Sequence, residues 1–315
     1  MTLLTKLDDQ LYLFDLLEQG LPGRSSAYLL TGSKNVLIDT GSAPSHERIL
    51  AALAEAKLTP EQLNYCILTH VHLDHAGGAG LLAAACPHTI FVAQERAARH
   101  LIDPSRLIAG ARTVYGDSFE SSFGTILPVP AERVLVRKNG EQLELGDRTL
   151  TFYDTPGHAK HHFSVHDPLR GAIFAGDTLG IRYVKAFTGW DFEFILPSTS
   201  PTDFDPQGVL YSVNLLQKLN AHTVYHTHFG PSPADEAYSA TLTGALAFAQ
   251  LADTLYDPDL TWEELALSLQ GYIGAHLHKL GVHESLPIEN LGIDIELDAK
   301  GLLFYEEQKR RQYLG

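Results

Sequence analysis

Short apolar runs punctuated by glycine, proline and serine fill most of the first 233 residues and alternate with stretches of helical period. Leu11–Leu16, Ala27–Thr31 and Val36–Ile38 have strand length, with the turn-forming residues Gly20, Pro22-Gly23 and Gly32-Ser33 between them. The period changes across Pro44–Ala56, where Ile49, Leu50 and Leu53 share one side of a helix and Ser45 is a candidate cap. Tyr65–Leu68 predicts a buried strand opening into a loop at Thr69-His70. After Gly77-Gly78, Ala79–Ala85 predicts a closely packed helix, and Thr89–Ala93 another strand. Gln94–Leu101 has a helical pattern, whereas Pro104–Pro130 is mixed. An insertion over about 95–130 follows, read either as a lid or as surface decoration. Strands return at Val134–Val136, Leu150–Tyr153, Phe163–His166 and Ala172–Ala175, then a helix at Gly208–Leu219 and a strand at Thr223–Tyr225. A second insertion, 180–206, is irregular and carries Tyr183, Phe187, Trp190, Phe192, Phe194 and Phe204; these aromatics either cover a pocket or pack the tail.

Beyond Pro233 the chain reads as helix. Ala234–Leu255 and Thr261–Leu280 are long helical patterns, with Thr261 as a cap before Glu263-Glu264. Asn290–Phe304 has no clear period, and Glu306–Tyr313 predicts a charged helix. Two units result: a domain over 1–233 and a mainly helical extension over 234–315. The extension's apolar positions, among them Leu242, Leu246, Leu265, Leu269 and Ile273, must be covered by the core, the aromatic insertion or a second subunit. The tail should therefore shape the pocket mouth or a homodimer interface. Its histidines are His276 and His278, which are two apart and on a helix face different directions, and His283 just after; they read as surface or packing residues.

Composition narrows the classes. Hydrophobic residues make up 44% of 315, enough for a sizeable core. Lys plus Arg is 23 against 38 Asp plus Glu, a formal charge of −15, which repels polyanions. The only basic run is Lys309-Arg310-Arg311, read as a solvated helix end, so nucleic acid is not an expected partner. Cys66 and Cys86 form no metal or redox motif and read as buried free thiols suited to a reducing compartment. The N-terminus has acids at positions 8 and 9 and no signal-peptide pattern, and no apolar run is long enough to span a bilayer. A soluble cytoplasmic protein is expected.

The chemistry concentrates in Thr69-His-Val-His-Leu-Asp-His-Ala-Gly-Gly78. His70 and His72, two apart at a strand end, point their imidazoles the same way, and Asp74 and His75 sit on the turn that follows. One loop can thus serve two adjacent metal ions, and the glycines after it allow close backbone approach. With 16 histidines in 315 residues, three within six positions is poorly explained by accident. Three further strand ends carry His158 (in Thr155-Pro-Gly-His), Asp177 (in Phe174-Ala-Gly-Asp-Thr) and His228 (in Tyr225-His-Thr-His-Phe-Gly-Pro).

These motifs, with Asp39 in Leu37-Ile-Asp-Thr-Gly41, occur in the order found in the metallo-β-lactamase superfamily, and the set most resembles its glyoxalase II-like branch over roughly residues 10 to 230. The resemblance implies a four-layer αββα sandwich, a mixed α/β fold with the metal site at one edge between two sheets and a helical C-terminal extension. It implies one metal held by His70, His72 and His158, and a second by Asp74, His75 and His228. Asp177 would bridge both, and Asp39 would support a ligand by hydrogen bonding. His228 matches the family position better than His226. His162 reads as buried support and His161 as the more exposed neighbour.

Asp177 stands where common β-lactamases have cysteine, and His75 where they lack histidine, which disfavours antibiotic hydrolysis. Two divalent metals, zinc first and iron or manganese next, would make hydroxide available near neutral pH to attack an ester, thioester or lactone carbonyl of a small molecule, with Asp74 and Asp177 as the catalytic carboxylates. The competing expectations are an iron-dependent sulfur dioxygenase or oxygen-reducing site, and a metal-binding module without turnover.

Overall fold

The computed structural model describes residues 2–279 and 291–314, with side chains up to Arg311. His283 and Leu280 lie outside the described residues. Two β-sheets pack face to face. The first runs in chain order: β1 (Leu4–Lys6), β2 (Leu11–Asp15), β3 (Ser26–Leu30), β4 (Asn35–Ile38), β5 (Leu63–Ile67), β6 (Ile90–Gln94) and β7 (Val134–Arg137). Its first four strands pair antiparallel and its last three add in parallel. The second sheet is built from β8 (Gln142–Glu144), β9 (Thr149–Asp154), β10 (Phe163–Asp167) and β11 (Ala172–Gly176). A separate hairpin of β12 (Ile181–Tyr183) and β13 (Phe194–Leu196) interrupts the chain before β14 (Thr223–His226) and β15 (Gly230–Pro233) complete the sheet, in the order β15-β14-β11-β10-β9-β8.

The strands read as continuous apolar runs because both faces of each sheet are covered. Tyr28, Leu30, Val36, Ile38 and Val92 of the first sheet meet Leu150, Phe152, Phe163, Val165 and Phe174 of the second between the layers. The alternate residues Ala27, Leu29, Leu37, Cys66, Phe91 and Ala93 face outward under α1 (His46–Glu55), α3 (Ala79–Ala85) and α4 (Glu95–Ile102); α2 is the short turn Leu73–Ala76. Ile173, Ala175 and Val224 do the same for the second sheet. The result is the αββα sandwich. Ser45 does not cap α1; its hydroxyl donates 3.1 Å to the Leu16 carbonyl and ties the helix to the first sheet.

The first insertion is helical, with α5 (Ser105–Tyr115) and α6 (Phe119–Phe123) anchored by Phe119 and Phe123 against Leu73. The second contains the β12–β13 hairpin and a one-turn helix, α7 (Lys185–Thr188). Outside the second sheet lie α8 (Pro206–Gln217), α9 (Ala234–Leu255), α10 (Trp262–Lys279) and α11 (Gly292–Leu314). Thr261 caps α10 as its sequence predicts, accepting from the Glu264 amide at 3.3 Å while Glu264 accepts from the Thr261 amide at 3.1 Å.

Asn290–Phe304 has no clear period in sequence, yet its residues from Gly292 on open the long helix α11, and Asn290 lies outside the described residues. The apolar stripe is broken because Asp294, Asp298 and Glu306, on one side at four- and eight-residue spacing, are buried alongside Ile295, Ala299 and Leu302. Among the described residues no helix is long and apolar enough to cross a membrane.

Candidate metal centre

Four chain segments converge at one edge of the sandwich. The loop after β5 brings His70, His72, Asp74 and His75; the loop after β9 brings His158; the end of β11 brings Asp177; the end of β14 brings His228. His158 and Asp177 each closely follow a glycine that nothing larger can replace. Gly157 has φ +132° and a Cβ there would lie 2.5 Å from the Val209 amide; Gly176 has φ +53° and a Cβ would lie 2.4 Å from His162 Nε2. At Gly176 the register of β11 on β14 also slips, turning Asp177 into the site.

The seven side chains resolve into two sets. His72 Nδ1 lies 3.0 Å from His70 Nε2 and 2.9 Å from His158 Nε2, so three imidazole nitrogens converge on one point. In the second set, Asp74 Oδ2 lies 3.6 Å from His75 Nε2 and 3.3 Å from His228 Nε2. Asp177 stands between them. Its Oδ1 is 3.1 Å from His75 Nε2 and 3.7 Å from His228 Nε2, while its Oδ2 is 3.5 Å from His158 Nε2. Both trios, and His70–His75–Asp177 across them, offer ligand atoms within 4.8 Å of one another.

Two buried polar atoms in this cluster, His75 Nε2 and Asp177 Oδ1, face each other at 3.1 Å without the alignment of a hydrogen bond, and neither has another hydrogen-bond partner. Leaving such atoms unsatisfied costs about 1–3 kcal/mol each, and a cation between them would remove that cost. The donor set, nitrogen-rich on one side and mixed on the other, fits divalent cations.

The far nitrogens are fixed by the protein. His75 Nδ1 is 3.0 Å from Asp39 Oδ2, His228 Nδ1 is 2.9 Å from Ser25 Oγ and 3.0 Å from the Arg24 carbonyl, and His158 Nδ1 is 3.1 Å from Ser198 Oγ. These contacts leave each Nε2 to face the centre. Asp39, fully buried, also accepts from the Thr69 amide at 2.8 Å and the Thr227 hydroxyl at 2.7 Å, so it supports the site without entering it. His226 is placed apart: its ring nitrogens meet the Gly180 carbonyl at 3.1 Å and Ser232 Oγ at 2.8 Å. His162 is buried, with Nδ1 at 2.9 Å from both Thr155 and Thr178 hydroxyls and Nε2 accepting from the Asp177 amide at 3.2 Å. His161 is more exposed and faces the cavity.

Charge in the cluster is unevenly shared. Burial, reinforced by the neighbouring imidazoles, holds His70 and His72 well below the usual histidine range. Burial would lower His75 and His228 too, but the Asp177 and Asp74 carboxylates outweigh it, raising His75 well above that range and His228 to about 9. Burial would raise Asp177, and the surrounding imidazoles instead hold it well below the carboxylate range. The carboxylate side of the cluster thus calls for added positive charge.

A cavity of about 750 Å³ opens over this floor. Its walls come from the two insertions and the helical tail. Leu107, Ala111, Val114 and Tyr115 of α5 form one wall, Ser198–Asp203 another, and Asp294, Leu297 and Asp298 of α11 a third. The helical tail therefore does shape the pocket. The aromatics do not cover it: Tyr183, Trp190, Phe194 and Phe204 are buried against α9–α11, and their insertion reaches the cavity through Ile181 and Ser198–Asp203.

A buried ionic chain forms part of this lining. Arg24 donates to Asp294 at 2.9 and 3.3 Å, Tyr183 donates to the same carboxylate at 2.9 Å, and Glu18 accepts from Ser25, which also meets His228.

The family model of the metallo-beta-lactamase superfamily matches residues 20–228. A metallo-beta-lactamase fold-containing protein of Sulfurisphaera tokodaii is 27% identical over 213 residues, covering 66% of this chain and 74% of that protein. Its crystal structure superposes with a TM-score of 0.65 at 21% identity, over 93% of this chain and 98% of that one. An acyl-coenzyme A thioesterase of Gallus gallus is 26% identical over 199 residues, covering 58% of this chain and 64% of the relative. A rubredoxin-oxygen oxidoreductase of Megalodesulfovibrio gigas is 31% identical over 131 residues, 41% of this chain and 27% of that protein.

Proposed function

The chain belongs to the metallo-β-lactamase superfamily, and from that premise we propose that it is a dinuclear metal-dependent hydrolase that cleaves an ester, thioester or lactone carbonyl of a small molecule. The observation that carries the proposal is a floor of two ligand sets sharing Asp177 beneath a cavity of about 750 Å³. That volume suits a whole organic substrate, whereas dioxygen needs far less room. The likeness to an acyl-coenzyme A thioesterase supports the same reading.

His70, His72 and His158 would hold one cation, Asp74, His75 and His228 the other, with Asp177 binding both. When bound, divalent cations, zinc before iron or manganese, supply a water acidic enough to attack near neutral pH and positive charge for the developing oxyanion. The protein does the rest. Asp177 fixes the spacing, with one oxygen toward each set. Asp74, the more exposed of the two site carboxylates, faces the cavity and would orient the attacking water by accepting a hydrogen bond from it. Asp39, Ser25 and Ser198 keep the imidazoles oriented, so that little reorganisation accompanies the reaction. Water adds to the acyl carbon, the carbon–sulfur or carbon–oxygen bond breaks, and the departing atom takes a proton.

The test is elemental analysis of protein purified without added metal, then a panel of esters, thioesters and lactones alongside an oxygen-consumption assay. Two metals per chain and turnover of at least one carbonyl substrate are expected. Iron with oxygen consumption and no hydrolysis would reverse the proposal.

A further inference from the structure

The cavity mouth carries charge that the chain as a whole does not. Arg96 and Arg99, three apart on α4, and Arg106 at the start of α5 line the cavity with His100 and Lys160. All three arginines are exposed, and among the described residues none has a carboxylate within 4.0 Å. Glu95 and Asp203, which line the cavity, are already engaged, whereas Asp103 and Asp154 lie near Arg106 and Arg96 but outside ion-pair distance. Glu95 pairs with Lys138 at 3.1 Å, and Asp203 lies 3.4 Å from Lys160 and 3.9 Å from His161. The other basic run behaves differently: Lys309, Arg310 and Arg311 are all paired with Asp253, Glu306 or Glu307.

Arg99 Nε donates to His100 Nε2 at 3.1 Å, but among the described residues no ion pair offsets the charge that these three guanidiniums gather on two successive helices. In a chain of net charge −15 their concentration at one mouth is a local reversal of sign, and the low-dielectric cavity wall focuses its field. The positive field is felt locally: burial lowers the His100 pKa, and Arg99 and Arg106 lower it further. Guanidinium forks match phosphate oxygens, and three of them suit a multiply charged anion better than a single carboxylate. Next to them, Leu107, Gly110, Ala111 and Val114 present an apolar strip of α5 to the same cavity. The cavity thus has a charged end and an apolar side, with the metal centre as its floor.

We propose that the substrate carries a phosphate-bearing arm held by Arg96, Arg99 and Arg106 at the mouth while its reacting carbonyl sits over the metal centre. The proposal rests on the hydrolase reading and names the substrate class for it: a thioester or ester of a phosphorylated alcohol or thiol, with an apolar acyl part against α5. Hydrolysis transfers the water's hydroxyl to the acyl carbon and its proton to the phosphate-bearing thiol or alcohol.

Three thioesters of one acid separate the contributions. The hexanoyl thioester of coenzyme A carries phosphates, that of glutathione carries carboxylates, and that of N-acetylcysteamine carries no charge. With the metal-loaded full chain, kcat/KM for the coenzyme A ester should exceed that for the neutral ester and fall steeply with salt. In Arg99→Glu/Arg106→Glu that ratio should drop at least about tenfold, and Arg99→Lys/Arg106→Lys should retain part of it. An unchanged ratio overturns the proposal, as does a preference for the glutathione ester over the coenzyme A ester. Calorimetry with free coenzyme A needs no turnover. Binding that weakens at least about tenfold in the charge-reversed variant supports the subsite even if none of the esters is hydrolysed, and that pattern would count against the hydrolase reading alone. Hydrolysis of the neutral ester with no coenzyme A binding would count against the subsite alone.

Discussion

Replacing Asp39 by asparagine tests whether the far side of His75 governs the metal centre. Every hydrogen-bond neighbour of the Asp39 carboxylate is a donor: the Thr69 amide at 2.8 Å, the Thr69 hydroxyl at 2.9 Å, the Thr227 hydroxyl at 2.7 Å and His75 Nδ1 at 3.0 Å. An asparagine must turn its amide nitrogen toward one side of this ring. The Thr69 backbone N–H cannot reverse its role, whereas hydroxyls rotate and an imidazole can change tautomer. The nitrogen therefore faces His75, whose Nδ1 becomes an acceptor and whose proton moves to Nε2, the atom that faces Asp74 and Asp177. A protonated Nε2 cannot bind a cation. Loss of such an orienting partner typically costs 10–100-fold in metal affinity, or about 1.4–2.7 kcal/mol. The loss should fall on the Asp74–His75–His228 set, because His70, His72 and His158 make no contact with Asp39 through their far nitrogens. Competition of the purified variant against a chromophoric chelator would resolve two binding steps, one near wild type and one weakened. Two steps both at wild-type affinity would refute the tautomer argument.

Asp177→Ala should lower occupancy of both metals and abolish hydrolysis; two retained metals with normal turnover, measured by elemental analysis and assay, would remove its bridging role. His228→Ala should lose metal, whereas His226→Ala should keep it and lose stability, since His226 holds Gly180 to Ser232; a metal–nitrogen distance of about 2.1 Å at His226 in a crystal structure would invert this. Asp294→Ala strands the buried Arg24 guanidinium and should destabilise by about 3 kcal/mol in urea unfolding, at the low end for a broken buried pair because Glu18 remains 3.9 Å away; a change under about 0.5 kcal/mol would refute the pairing. Truncation after Pro233 exposes Ile173, Ala175 and Val224 beneath the lost helices and should make the protein insoluble, a result read by sedimentation.

The ligand loops were legible because metal chemistry restricts residue types and because each motif sits at a strand end. The sandwich's strands were legible because burial on both faces leaves them apolar, and Ala79–Ala85 and Ala234–Leu255 begin and end where their composition changes. What escaped was assembled by tertiary contact. The short edge strands β1, β8 and β15 carry little apolar signal. The basic mouth is spread over two helices, with Lys160 on a third segment, so no run of sequence advertises it. The aromatics of 183–204 were legible as a buried cluster, but their direction depended on helices that follow them in the chain. Asp294 and Asp298 resemble surface acids until Arg24, Tyr183 and the Thr199 amide are brought against them.

The Arg24–Asp294 pair joins residues 270 positions apart, and this sets an order on biosynthesis. At about 5–20 residues per second, Asp294 is made roughly 14–54 s after Arg24. Through that interval the newly made segment holding Glu18, Arg24 and Ser25 has its guanidinium without the carboxylate that later buries it. Ser25 and the Arg24 carbonyl orient His228, so the second ligand set acquires its final geometry only after α11 has docked. From His158 to Asp294, 136 of the 315 residues, a growing chain would thus have the three-histidine set made and the other unfinished. Filling of the two positions would then be staggered, and the second would report that translation had passed α11.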